Sequence, residues 1–82
     1  MAIVTVRYFA AASEAAGREE EQILLDGSPS LGGLRDELER RYGEPMARVL
    51  RSGSFLIDGR VSRDPDRPLG AAVDILPPFA GG

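Results

Sequence analysis

The group in this sequence best placed to do chemistry belongs to the main chain. Residues 75–82 read ILPPFAGG. A free α-carboxylate has a pKa of roughly 3.5, so near neutral pH it is ionised and a poor electrophile. It enters acyl chemistry only after activation, for instance as an acyl-adenylate. A sulfur nucleophile could then displace AMP and leave a thiocarboxylate. In that scheme Gly82 carries the reacting group. Gly81 has no Cβ and lets the backbone pass a narrow channel. Ala80 adds only a methyl group, and Phe79 offers an anchor. Pro77 and Pro78 favour extended polyproline geometry, which biases the direction in which the tail leaves Leu76. Four extended residues span roughly 13 Å, far enough to place a carboxylate in another protein's pocket. The plain alternative is a frayed, Gly-rich end. The two prolines and the apolar strand before them favour a carrier tail.

The side chains exclude most other chemistry. The 82 residues include no Cys and no His. Disulfides, thiolate metal sites and imidazole bases are therefore ruled out, and no metal site is expected. Carboxylate catalysis stays open in principle, although so short a chain is hard pressed to form a deep carboxylate pocket. Net charge is −3, which argues against the basic surface that nucleic-acid binding requires. All ten basic residues are Arg. Genomic base composition is the simplest reading of that bias. Its consequence holds regardless: only an α-amino group could accept an isopeptide-type bond. The opening MAIVTVRY has neither a basic leader nor a membrane-spanning stretch, so the expectation is a cytoplasmic protein with no membrane partner.

The elements that must position the tail are legible from pattern. In residues 2–9, Val4, Val6 and Tyr8 alternate with Ile3, Thr5 and Arg7, as in a strand with one buried face. The alanines of residues 10–17 suggest a short helix stopped by Gly17. A second strand is expected over Glu20–Leu25, ending at the turn pair Asp26-Gly27. Its run Glu19–Glu21 reads as a solvated start of the strand rather than a docking patch. Residues 28–43 form the best helix. Ser30 suits the N-cap, and Leu31, Leu34, Leu38 and Tyr42 make one apolar stripe. Asp36→Arg40 and Glu37→Arg41 have favourable i,i+4 spacing. Gly32 and Gly33 suggest close packing against a sheet. The spacing of the glycines does not make a phosphate loop. Residues 44–53 suggest a helical turn with Met46, Val49 and Leu50 inward. Asp58-Gly59 between two apolar runs is a strong two-residue hairpin signal. A last strand carries Val73 and Ile75 on one face, Asp74 and Leu76 on the other, and stops at the prolines. These elements predict an α+β domain over residues 1–78, with four to five strands, one main helix across a sheet face, and an extended tail over 79–82.

In this arrangement the chain resembles the small subunits of molybdopterin synthase, the MoaD-type sulfur carriers of the ubiquitin-like MoaD/ThiS family. The resemblance runs nearly end to end. VTVRYFAAASEAAGREEE resembles the family's opening strand and Ala/Glu-rich helical turn, LGGLRDELERRYG its main helix, and FLIDGRVS its strand and turn. DILPPFAGG resembles the closing strand and the PP-x-x-GG end, the most specific of these motifs. Two stretches depart from the family pattern. LGAAVDIL is shorter and less acidic than the usual turn before the last strand, and the long helix has Gly-Gly near its start.

The resemblance implies a β-grasp fold and a sulfur-carrying subunit with no catalytic residues of its own. A ubiquitin-activating-type adenylyltransferase (MoeB-type) would use MgATP to adenylate Gly82, and a sulfur donor protein would convert it to the thiocarboxylate. The tail would then enter a large MoaE-type subunit and pass sulfur to cyclic pyranopterin monophosphate. No cofactor would be held stably. Gly81, Ala80, Phe79, Pro78, Pro77 and Leu76 would thread and anchor the tail, with Phe9 a contact on the sheet beside it. For Phe9 and Leu76 an ordinary core role is an equal alternative. Other readings are a carrier for thiazole or cysteine biosynthesis, a ubiquitin-like modifier, and an interaction domain with an idle tail.

Overall fold

The computed structural model describes residues 2–78. Along the chain run β1 (Ala2–Tyr8), α1 (Ala11–Ala16), β2 (Glu20–Leu25), α2 (Leu31–Tyr42), α3 (Glu44–Ser52), β3 (Ser54–Ile57), β4 (Arg60–Ser62) and β5 (Ala72–Leu76). The five strands form one mixed sheet in the order β2-β1-β5-β3-β4. β1 and β5 lie inside the sheet and pair in parallel, with Thr5 opposite Ala72 and Tyr8 opposite Ile75. Every other pairing is antiparallel. This is the β-grasp arrangement expected from the sequence.

Period-two alternation decides which face is covered. Val4, Val6, Tyr8, Ile23, Phe55, Ile57, Val73 and Ile75 are buried together with Leu31, Leu34 and Leu38 of α2. The leucines recur at three- and four-residue steps, so one helical stripe fills the sheet's inner face. Ser30 caps α2 by accepting a hydrogen bond from the Gly33 amide at 3.1 Å. Gly43, at φ 74°, ends α2 and starts α3. The nine-residue α3 exceeds the single turn expected. Met46 and Leu50 point inward as predicted, whereas Val49 is only half-buried and Ala47 takes an inward place.

Two local expectations are corrected. Gly32 does not pack on the sheet. A Cβ there would lie 3.1 Å from the Pro65 carbonyl oxygen, because the loop before β5 crosses the start of α2. The Leu31 and Gly32 amides donate to the Arg67 and Pro65 carbonyls at 2.9 Å each. Asp36 does not pair with Arg40. Glu37 binds Arg40 three residues on and Arg41 four residues on, each at 2.6 Å, so one carboxylate engages both guanidinium groups. The hairpin signal is realised: Asp58 (φ 49°) and Gly59 (φ 86°) make the turn with two positive φ angles that β3 and β4 require.

The end of β5 is fixed by a close approach. A Cβ on Gly53 would lie 2.6 Å from the Leu76 carbonyl oxygen and 2.8 Å from that of Val49. Gly53→Ala is expected to cost about 1–3 kcal/mol through this overlap. Phe55→Ala, at a position fully closed to solvent, is expected to cost about 3–5 kcal/mol. Urea unfolding curves measure both. A Gly53→Ala midpoint equal to that of the parent would show that the backbone separates without cost.

Candidate functional site

β5 carries the chain to the edge of the folded body. Because β1 and β5 run in parallel, the C-terminal ends of both strands meet at one side of the sheet. The Phe9 amide, one residue beyond β1, donates to the Ile75 carbonyl at 3.0 Å. Phe9, Leu76, Pro77 and Pro78 are thereby gathered at the exit. Phe9 is 41% exposed, so it is available as a contact and is no core residue. Leu76 is half-buried, and both prolines are exposed. The ladder stops at Leu76 as expected of a strand followed by prolines. The residues read from the sequence as the working tail, Phe79, Ala80, Gly81 and Gly82, lie outside the described residues.

Two surfaces flank the exit. On the helical side an apolar groove of about 160 Å³ is lined by Ala11, Ala12, Arg48, Val49, Ser52, Pro77 and Pro78. Its existence follows from small side chains on α1, which let α1 approach α3 without filling the space at the exit. On the other side lies the open sheet face. Ile3 and Leu24 pair across β1 and β2 there, and Leu56 pairs with Val61 across β3 and β4. Arg7 and Asp74 occupy the middle of this face. The Arg7 Nε and Nη2 donate to the two Asp74 carboxylate oxygens at 2.7 and 3.0 Å. This two-bond geometry fixes both side chains across the central strand pair. A larger hollow, about 390 Å³, lies between the end of β2 and the start of α2, with Asp26, Asp36, Glu37 and Arg40 among its lining. It is away from the exit. Among the described residues, no group of three or more His, Cys, Asp or Glu side chains could hold a metal ion. No described helix is long and apolar enough to cross a membrane.

One polar cluster escaped the sequence reading. Glu21, the last of the run taken as a solvated start of β2, keeps only 7% of its side chain exposed. Glu19 and Glu20 are exposed as expected. The Tyr8 hydroxyl donates to Glu21 Oε1 at 2.5 Å, and the Tyr42 hydroxyl donates to the same oxygen. Arg18 and Arg41 approach Oε2 at 3.3 and 3.6 Å. The two rings meet edge to face with centroids 6.3 Å apart. The available signal was register: Tyr8 ends the buried face of β1, and Tyr42 closes the stripe of α2. Two phenols on converging faces need an acceptor.

Burial opposes ionisation of Glu21, but the hydrogen bonds from Tyr42 and Tyr8 and the charges of Arg18 and Arg41 outweigh it. The carboxyl is held below its usual range. Burial, followed by the bond to Glu21, pushes the Tyr8 phenol well above its ordinary value. The group is therefore an ionised acceptor that ties β1, β2 and α2 together. It is no proton donor.

Fold and exit together define the class: a ubiquitin-like β-grasp domain whose central strand β5 runs out of the sheet into two prolines. The chain belongs to the ThiS family, whose model matches residues 6–82. Membership places it in a family of small sulfur carriers that work with partner enzymes. No curated protein is detectably similar in sequence. Solved structures are similar in fold. A Pyrococcus furiosus protein provisionally assigned as molybdopterin converting factor, subunit 1, has a TM-score of 0.80 at 23% identity, covering 96% of this chain and 100% of its own. Small archaeal modifier protein 1 from Haloferax volcanii gives 0.78 at 21% identity, covering 96% and 100%. The Methanosarcina acetivorans protein of the same name gives 0.72 at 27% identity, covering 100% and 98%.

The Glu21 cluster yields a pH prediction. A carboxyl whose folded pKa lies below its unfolded value stabilises the fold above the unfolded pKa, about 4.3 for Glu. That contribution is lost as pH falls through the folded value. Glu21→Ala also strands two phenols and is expected to cost about 1–3 kcal/mol near neutral pH. The difference between the parent and Glu21→Ala, from urea unfolding, should stay level down to about pH 5 and shrink below about pH 4. A difference that widens on acidification would contradict the assignment of Glu21 as an ionised acceptor.

Proposed function

We propose that the chain is the sulfur-carrying small subunit of a molybdopterin synthase, with the Gly82 carboxylate as its working group. The observation that carries the reading is that the family match runs through the Gly-Gly end, onto a strand held at both its neighbours and released at two prolines. The opening YFA and the PP-x-x-GG pattern support the molybdopterin branch within the family. The fold likeness to the Pyrococcus furiosus protein agrees with that choice.

The chemistry follows from the carboxylate. An adenylating partner of the ubiquitin-activating type couples a Gly82 oxygen to the α-phosphorus of ATP and releases pyrophosphate. A sulfur nucleophile from a donor protein attacks the carbonyl carbon, and AMP leaves with the electrons of the broken C–O bond. When that nucleophile is a persulfide on the donor, the resulting acyl disulfide is cleaved by a second thiol of the donor system, which forms a disulfide with the donor sulfur and leaves the thiocarboxylate on Gly82. The large subunit receives the tail, and sulfur passes to the pterin precursor. This chain contributes position: Leu76, Pro77 and Pro78 set the direction, Phe9 and the apolar positions of the open face give the partner a docking surface, and Gly81 keeps the terminal path narrow. ATP is consumed on the partner and is not a cofactor of this chain.

A second reading is protein modification. It is favoured by the Methanosarcina acetivorans small archaeal modifier protein 1, which is 27% identical and covers the whole chain. The two readings share adenylation and diverge in the acceptor, a pterin precursor or an amine on a target protein. Carriers for thiazole or cysteine biosynthesis differ only in their partner.

The test is intact mass after incubation with an adenylating enzyme, MgATP and a sulfur donor. The expected product is heavier by the difference between sulfur and oxygen. Stable assembly with a molybdopterin synthase large subunit is expected; exclusive binding to a thiazole synthase would transfer the proposal to that pathway. Gly82 deletion should abolish the mass gain and leave the thermal midpoint unchanged. Gly81→Ala should slow loading or transfer without altering stability. Full loading of the Gly82-deleted chain would refute the assignment of the reacting group.

A further inference from the structure

We infer that the two edges of the sheet are complementary: the free edge of β4 takes the free edge of β2 from a second copy of this chain, and the protein associates head to tail into a continuous sheet. The strand order β2-β1-β5-β3-β4 puts β2 and β4 outermost. β2 pairs only with β1, and β4 only with β3. Along the outer side of each, alternate amides and carbonyls have no strand partner among the described residues. Such an edge is a template for another strand.

Charge decides which strand it takes. Glu19 and Glu20, at the start of β2, are exposed, and neither meets an arginine among the described residues. Arg7, Arg18, Arg40, Arg41, Arg48 and Arg51 are each held by a carboxylate. Arg60, which opens β4, and Arg63, just past its end, are exposed and lie outside that set. Arg63 Nη2 donates to the Arg51 carbonyl at 2.7 Å, a bond that fixes the guanidinium without neutralising it. The neighbouring Asp64 is turned inward on its own loop, where Oδ1 accepts from the Asp66 amide at 2.9 Å. Identical edges therefore repel, β2 from β2 and β4 from β4, while the unlike pair attracts. The exposed glutamates thus gain a docking role that their solvated position alone did not give them.

Strand polarity agrees with this pairing. β4 is antiparallel to β3, β3 is antiparallel to β5, β5 is parallel to β1, and β1 is antiparallel to β2. Within one molecule β2 and β4 consequently run in opposite directions. A second copy in the same orientation presents β2 antiparallel to β4, with the helices of both copies on the same side. On the open side, Leu24 at one edge and Val61 at the other are exposed large apolar side chains. Edge-to-edge contact joins them, with Ile3 and Leu56 beside them, into one apolar strip. Because β4 has only 3 residues, the added ladder is short and the association is weak. Both edges lie two strands from β5, so the contact leaves the exit uncovered. Each contact also leaves one edge of either kind free, and growth is open-ended.

Sedimentation velocity of the full chain at low ionic strength provides the test. The average mass of the parent should climb past that of a dimer as concentration rises to millimolar, and should fall back when salt is added. Chains carrying Arg60→Glu with Arg63→Glu, and chains carrying Glu19→Arg with Glu20→Arg, should each remain monomeric, with thermal midpoints showing that both are folded. Mixing the two reversed chains should restore association, because each then offers the other an edge of opposite charge. A parent that stays monomeric at millimolar concentration would overturn the inference. So would a mixture of folded reversed chains that stays monomeric, or a dimer that forms equally in the parent and in both reversed chains, since that contact would lie on the open face instead.

Discussion

The parallel pairing of β1 with β5 is the constraint on which the rest depends. It joins residues near the two ends of the sequence at the centre of one sheet, with Val6 opposite Val73 and Tyr8 opposite Ile75. Parallel neighbours cannot be linked by a tight turn, so the intervening chain must cross over. Here the crossover contains α1, β2, both larger helices and the β3–β4 hairpin. Its helices supply the apolar stripe that closes the inner face. The same pairing aligns the C-terminal ends of two central strands, and so decides where the tail leaves. Position and stability come from one interaction: β5, which leads into the two prolines, is flanked by strands on both sides.

The elements whose periodicity is local were legible. The alternation of Val4, Val6 and Tyr8 and the stripe Leu31–Leu34–Leu38 each gave type, face and approximate limits. The Asp58-Gly59 turn was legible because its φ angles restrict the residues that can occupy it. The centrality of β1 and β5 could be guessed from their apolar content, but the register needed the structure. What escaped depended on long-range partners. Gly32 answers to Pro65, a residue more than thirty positions away. Glu21 looked solvated because its neighbours Glu19 and Glu20 are, and only the convergence of Tyr8 and Tyr42 reveals its role.

The exit was legible in composition and illegible in surroundings. Two prolines and two glycines announced a tail, whereas the groove formed by α1 and α3 and the pinning of Phe9 to Ile75 came only from tertiary contact. The exposure of Phe9 removes the core role that the sequence left as an alternative.

The loop that covers the start of α2 has an electrostatic meaning. A helix usually offers its first amides, and the positive end of its dipole, to whatever anion is near. Here the Leu31 and Gly32 amides are bound to the Arg67 and Pro65 carbonyls, and the Gly33 amide to Ser30. The longest helix therefore presents no phosphate cradle. The positive end of its dipole faces the chain's own carbonyl and hydroxyl oxygens, so the loop before β5 is held to α2 by charge as well as by hydrogen bonds.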